Sequence, residues 1–129
     1  MIAICFPILF CVVVAGRGVR GKEGIALARQ LANKLGAKLG GTRALVADGM
    51  LPPELIVGSS GKILSPKLCI TLGVSGAMPL MAGIEKSGMV ISVNNDPAAP
   101  VFKGSDVGVC MDWQTVTKEL IRILEQSDE

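Results

Sequence analysis

Apolar residues along this chain come in short unbroken runs, not in the strict alternation of a half-exposed strand. Residues 11–14 (Cys-Val-Val-Val) read as a buried strand, and 68–72, 89–93 and 107–111 as further strands. Between the runs the period lengthens. Residues 23–35 set Ala28, Leu31, Ala32 and Leu35 on one side and Arg29, Gln30 and Lys34 on the other, which predicts a helix stopped by Gly36. Residues 113–125 repeat the pattern with Val116, Leu120, Ile123 and Leu124, and residues 77–84 predict a shorter helix with Pro79 in its first turn, where a missing N–H costs little. Residues 37–41 read as a short strand, residues 42–49 as either a brief helix or an extended segment, and Pro52-Pro53 as the start of an extended stretch into Leu55-Ile56-Val57. Strands alternating with helices at these spacings predict an α/β fold: a three-layer, Rossmann-like parallel sheet with helices on both faces.

Composition narrows this picture. A chain of 129 residues is expected to form one domain over 1–129, with an apolar leader at 1–10 and an acidic tail at 126–129. Half the residues are hydrophobic, only 3% are aromatic and 16 are glycine, which suits short aliphatic strands joined by tight turns. The formal net charge of +2 comes from scattered Lys and Arg with no interleaved aromatics, so nucleic acid is not an expected partner. Cys5, Cys11, Cys69 and Cys110 sit in apolar runs without zinc or redox spacing and are expected as reduced thiols, with no metal. The absence of histidine excludes Ser-His-Asp chemistry, histidine-ligated metals and imidazole acid–base catalysis. Residues 1–15 are uncharged but shorter than the about 20 residues of a membrane span, and they lack the basic start of a signal peptide. A cytoplasmic protein is expected, or one of an organelle matrix if eukaryotic, with the leader as a surface for a partner chain.

The chemistry-bearing residues gather at strand ends. Gly58-Ser59-Ser60-Gly61-Lys62 and Gly73-Val74-Ser75-Gly76-Ala77 are glycine-flanked hydroxyl clusters, where backbone can approach a ligand closely and offer N–H donors to a phosphate. Gly16-x-Gly18-x-x-Gly21 spells part of a dinucleotide fingerprint, a weak signal alone. In a parallel sheet, ligands bind beyond the carboxyl ends of the strands. Arg17, Thr42, the first hydroxyl cluster, Ser75, Asn94 and Asp112 all fall at that rim.

The order Gly16-Arg17-Gly18, Thr42-Arg43-Ala44, Val57-Gly58-Ser59-Ser60-Gly61-Lys62, Gly73-Val74-Ser75-Gly76-Ala77, Asn94-x-Asp96-Pro97 and Asp112 resembles the C-terminal FAD-binding domain of the electron-transfer flavoprotein α-subunit from about residue 12 to about residue 124. The resemblance implies FAD contacts from Arg17, Thr42 and Arg43, from Val57, Gly58, Ser59 and Ser60, from Ser75, Gly76, Ala77, Met78, Pro79 and Leu80, and from Asn94, Asp112 and Trp113. Arg43 would lie near the isoalloxazine, where a fixed cation favours the reduced anionic ring. Ser60 would stand where the family has a threonine near flavin N5, Ser75 with the amides of Gly76 and Ala77 would receive pyrophosphate or ribityl oxygens, and Asn94 and Asp112 would meet the adenosine side. Trp113 either packs at the start of the last helix or stacks on adenine.

Two stretches depart from the family. Ser59 replaces a common glutamine, and Pro79-Leu80 replaces a glutamine-histidine pair. Leucine offers no donor to the pyrimidine edge, so a lower reduction potential is expected. The implied function is electron carriage: electrons taken from a dehydrogenase and passed on, alongside a chain like the family's β-subunit, without an acid, base or nucleophile from the protein. A homo-oligomer is a further option. Two other readings stand beside it: an NAD(P)- or nucleotide-binding structural module, since the fold also resembles the NADP-binding domain of proton-translocating transhydrogenase, and an interaction subunit that has lost its cofactor.

Overall fold

The computed structural model describes residues 11–57 and 66–127. Five strands form one all-parallel sheet: β1 (Cys11–Ala15), β2 (Lys38–Gly41), β3 (Leu68–Leu72), β4 (Met89–Val93) and β5 (Val107–Val109), in the spatial order β2-β1-β3-β4-β5. The helices between them are α1 (Gly21–Leu35), α2 (Arg43–Ala47), α3 (Met78–Ile84) and α4 (Trp113–Ser127), with 3₁₀ turns at Pro53–Leu55 and Pro100–Gly104. This is the α/β architecture expected from the runs and their spacing.

The register explains why the central strand reads as an uninterrupted apolar run. Val13 pairs with Leu39 on one side and Ile70 on the other, and Val12 pairs with Lys38 and Cys69, so β1 has neighbours on both edges and helices on both faces. Val13 and Ala15 point into a core with Ile70, Leu72 and Val93 beneath α1 and α4, reached by Ala28, Leu31, Ala32 and Ile121. Val12 and Val14 point the other way, into a core with Cys69 and Val90 closed by Leu80 and Ile84 of α3 and by Val101. Each large side chain so enclosed contributes roughly 1.5–3 kcal/mol relative to exposure, and no position of β1 has a solvent side to spare.

Several boundaries differ from the sequence reading for local reasons. Residues 42–49, left open between helix and strand, begin a helix because Thr42 is its N-cap, its hydroxyl accepting from the N–H of Leu45 at 3.4 Å. Residues 52–57 are not extended throughout. Pro53 starts a 3₁₀ turn, and only afterwards does Ile56 bridge Gly41 in parallel, with Val57 N donating to Gly41 O at 2.9 Å. β5 stops at Val109, two residues short of the apolar run. α4 continues through Ser127, so residues 126 and 127 of the expected tail are helical, while residues 128 and 129 and the leader at 1–10 lie outside the described residues. Among the described residues, no helix is long and apolar enough to cross a membrane and no group of three or more His, Cys, Asp or Glu could hold a metal. Cys11 and Cys69 are free and buried; Cys110 is free and exposed.

Candidate functional site

At the carboxyl ends of β1 and β3 two glycine turns cross in direct backbone contact. Gly16 N donates to Leu72 O at 2.9 Å, Gly18 N to Gly73 O at 3.0 Å, and Gly73 N to Val93 O at 3.0 Å. A Cβ on Gly16 would sit 2.5 Å from Gly73 O, and one on Gly73, whose φ is +63°, would sit 3.0 Å from the backbone of Gly18. Gly76 is as constrained: at φ +99° its Cβ would fall 2.3 Å from Val101 N. These glycines are required by backbone meeting backbone, which brings the first turn of α1 and the loop before α3 to the same place.

Above this crossing lies a cleft of about 820 Å³, in the upper part of the range that small-molecule and cofactor sites occupy. Of the sequence candidates, Arg17, Thr42, Arg43, Val57, Ser75, Gly76, Ala77, Leu80 and Asn94 line it. A recess of about 310 Å³ adjoins it, bounded by Asp112, Trp113 and Gln114 and sharing Gly18, Arg20, Gly73 and Asn94 with the larger cleft. The two are neighbours at the rim of the sheet. Gly58, Ser59 and Ser60, and the side chains of Met78 and Pro79, lie outside the described residues.

Each candidate reaches the groove with its own commitments. Arg17 is exposed but held: its Nε and Nη2 donate to the two carboxylate oxygens of Asp48, both at 3.1 Å, and these bonds hold the guanidinium above its ordinary pKa. Arg43, at the first position of α2, forms no such pair among the described residues. Among the described residues no acceptor takes up the consecutive N–H groups of Ser75, Gly76 and Ala77, although Ser75 O accepts from Val101 N at 2.9 Å. Leu80 is only 4% exposed and belongs at once to the cleft wall and to the core under α3, which makes that wall apolar.

Asn94 bridges two loops instead of pointing freely into the groove. Its Nδ2 donates to Val74 O at 2.9 Å and its Oδ1 accepts from Asp96 N at 2.9 Å, so the amide fixes the loop after β4 against the second glycine turn. Asp112 caps α4, one carboxylate oxygen accepting from the N–H and the hydroxyl of Thr115 at 3.1 and 3.0 Å. Trp113 is buried at 7% exposure, its Nε1 donates to Gly18 O at 3.1 Å, and its ring packs on Gly24, where a Cβ would come 3.3 Å from it. Packing accounts for the indole, and Trp113 also lines the smaller recess.

Two charged residues of the groove were missed from sequence. Arg20, the N-cap of α1, borders both the cleft and the recess. Asp48 ends α2 and pairs with Arg17 in the cleft lining. The glycine fingerprint contained Arg20 but marks only its glycines as informative, and nothing in the sequence joins residues 17 and 48.

Residues 10–85 match the model of the electron transfer flavoprotein FAD-binding domain. The chain belongs to that family. It is similar to the mitochondrial electron transfer flavoprotein subunit alpha of Oryza sativa subsp. indica, 44% identical over 113 residues that cover 88% of this chain and 32% of the relative. The electron transfer flavoprotein subunit alpha of Syntrophomonas wolfei is 43% identical over 115 residues, 89% of this chain and 36% of the relative. A putative electron transfer flavoprotein subunit of Escherichia coli is 43% identical over 110 residues, 85% and 38% respectively. The chain thus spans about a third of the length of these relatives. The resemblance read from the motifs is the family found, and the cofactor of this domain family is FAD. The cleft lining fits such a group in kind: Arg20 and Arg43 carry guanidinium groups, the N–H groups of Ser75, Gly76 and Ala77 meet no acceptor among the described residues, and Val57 and Leu80 are apolar and buried.

Proposed function

We propose that this electron transfer flavoprotein FAD-binding domain is the electron-carrier module of a larger assembly, taking electrons from a dehydrogenase and passing them on beside a β-subunit-like chain. The observation that carries this reading is convergence: loops following β1, β2, β3 and β4, with the start of α4, line two adjoining recesses that share Gly18, Arg20, Gly73 and Asn94. FAD supplies the redox chemistry when bound. The chain's own residues bind, orient and set the field.

Arg43 fixes a permanent positive charge on the cleft wall, which favours negative charge on a ring lying beside it. The N–H groups of Ser75, Gly76 and Ala77 receive phosphate or ribityl oxygens, a role that Gly76 makes available by admitting the backbone to within contact of Val101. Arg20 serves the junction between the two recesses, where a pyrophosphate linking a flavin half to an adenosine half would fall. Leu80 withholds a donor from its wall and keeps water out. Asn94 and Asp112 hold the groove's shape, and each keeps hydrogen-bonding capacity toward it: a second N–H on Asn94 Nδ2 and a second oxygen on Asp112. Gly58, Ser59 and Ser60 complete the proposed contact set on sequence grounds.

The test is reconstitution of the 129-residue chain with FAD, followed by flavin absorbance and quenching of flavin fluorescence, beside Arg43→Ala and a parallel titration with NADP. Saturable FAD binding, weakened at least severalfold in Arg43→Ala, is the expected result. Binding of NADP with no binding of FAD would replace the electron-carrier reading by that of a nucleotide-holding module.

A further inference from the structure

Among the described residues, Asp48 is the one acidic side chain lining the larger cleft, set against the guanidinium groups of Arg17, Arg20 and Arg43. Its placement is specific. As the residue that ends α2 it donates its own N–H to Ala44 O, and its carboxylate meets Arg17, 31 residues away, with both oxygens. Arg17 presents to it the Nε and Nη2 edge of the guanidinium, one of the paired-donor edges that match two oxygens of a phosphate.

We propose that Asp48 is a specificity-determining counter-ion of the cleft: it occupies Arg17 in place of a phosphate, and a dinucleotide binds by taking that edge of the guanidinium over from the carboxylate. The proposal rests on the FAD reading above and adds a residue that lowers affinity for the anionic part of the ligand without touching its neutral part. Two physical arguments support it. The pair is solvent-exposed, at 66% and 42% of the side chains, so it contributes little to folding and its residues are free to exchange partners. A pyrophosphate carries about two negative charges, and a carboxylate within roughly 6–10 Å of it opposes binding by a factor of about three to ten at low salt. In exchange, Asp48 offsets the mutual repulsion of three cations and makes Arg17 available only to a ligand able to displace a bidentate carboxylate. A singly charged ligand that bonds through one oxygen is a poor competitor for that edge.

The test compares the whole chain with Asp48→Asn and Asp48→Glu, using FAD and riboflavin as probes at 50 and 300 mM NaCl. Flavin fluorescence reports binding, and thermal unfolding reports the fold. Asp48→Asn is expected to bind FAD about three- to tenfold more tightly at 50 mM NaCl, with the gain shrinking at 300 mM, and to bind riboflavin as the parent does. Asp48→Glu restores the charge and is expected to return FAD affinity toward the parent value. Unchanged or weaker FAD binding by Asp48→Asn, with the parent binding FAD normally, overturns the proposal and makes Asp48 a simple anchor for Arg17. A parallel change in riboflavin affinity overturns it too, because a charge effect has no neutral target. If none of the proteins binds FAD, the cofactor reading itself falls and takes this proposal with it.

Discussion

Replacing Gly16 by alanine tests the crossing on which the groove rests. The new methyl group would lie 2.5 Å from Gly73 O, 2.7 Å from Val74 Cα and 2.9 Å from Gly73 C, all backbone atoms that cannot rotate aside. Ordinary contact begins near 3.4 Å, so the β1 and β3 turns must separate by about 0.9 Å at the closest point. That separation strains the bonds from Gly16 N to Leu72 O and from Gly18 N to Gly73 O, each worth about 1 kcal/mol net. With an overpacking cost of roughly 1–3 kcal/mol, the expected loss is about 3 kcal/mol. For a domain of this length, that corresponds to a melting temperature lower by roughly 10 °C. Gly49→Ala is the matched control: Gly49 has φ +78° but its Cβ would meet nothing within 4 Å, so only the left-handed backbone cost of about 1 kcal/mol applies, or roughly 4 °C. Circular-dichroism melts of the two variants and the parent decide the matter, and FAD titration at a temperature where both are folded extends it, with Gly16→Ala losing affinity and Gly49→Ala keeping it. A Gly16→Ala protein that melts within a few degrees of the parent, or above Gly49→Ala, would refute the idea that close backbone contact at this crossing builds the site.

Arg20→Gln is expected to weaken FAD binding about three- to tenfold and to flatten its dependence on NaCl; an unchanged salt dependence would remove Arg20 from the phosphate path. Burial pushes the Cys11 thiol up to about 11 and the Cys69 thiol up to about 12, the latter also raised by the charge of Cys11, from an ordinary value of 9.0. The folded state therefore holds these protons where the unfolded chain releases them, so the stability tied to the neutral thiols is complete below about pH 9 and is lost as pH rises through 11 to 12. Urea unfolding from pH 8 to 11 is expected to show a falling midpoint that Cys69→Ala reduces, and a flat midpoint would argue against it.

What the sequence made legible follows from how completely each element is buried. β1, β3 and β4 read as strands because both faces are covered, which leaves no polar alternation to confuse the pattern. The groove was legible for the same reason in reverse: polar and glycine residues stood out at the ends of apolar runs, and the parallel sheet assigns all those ends to one rim. Legibility failed where a side chain's partner is distant in sequence. Trp113 and Gly18 are 95 residues apart, and until the fold joins them the indole is as good a stacking platform as a core residue.

Asn94 and Asp112 show a subtler gap between residue type and role. An amide and a carboxylate at strand ends are the groups that would bind hydroxyls or phosphates, and the fold gives both a prior structural task, one tying the β4 loop to Val74 and the other capping α4. Leu80 shows the converse, since a position read only for the donor it lacks also closes the core under α3. Binding and folding are therefore not separable at this rim. The hydrogen bonds and close glycine contacts that shape the groove also tie the β4 loop and the start of α4 to the two glycine turns, so a ligand bridging the two recesses would stabilise the domain by adding contacts between the same elements.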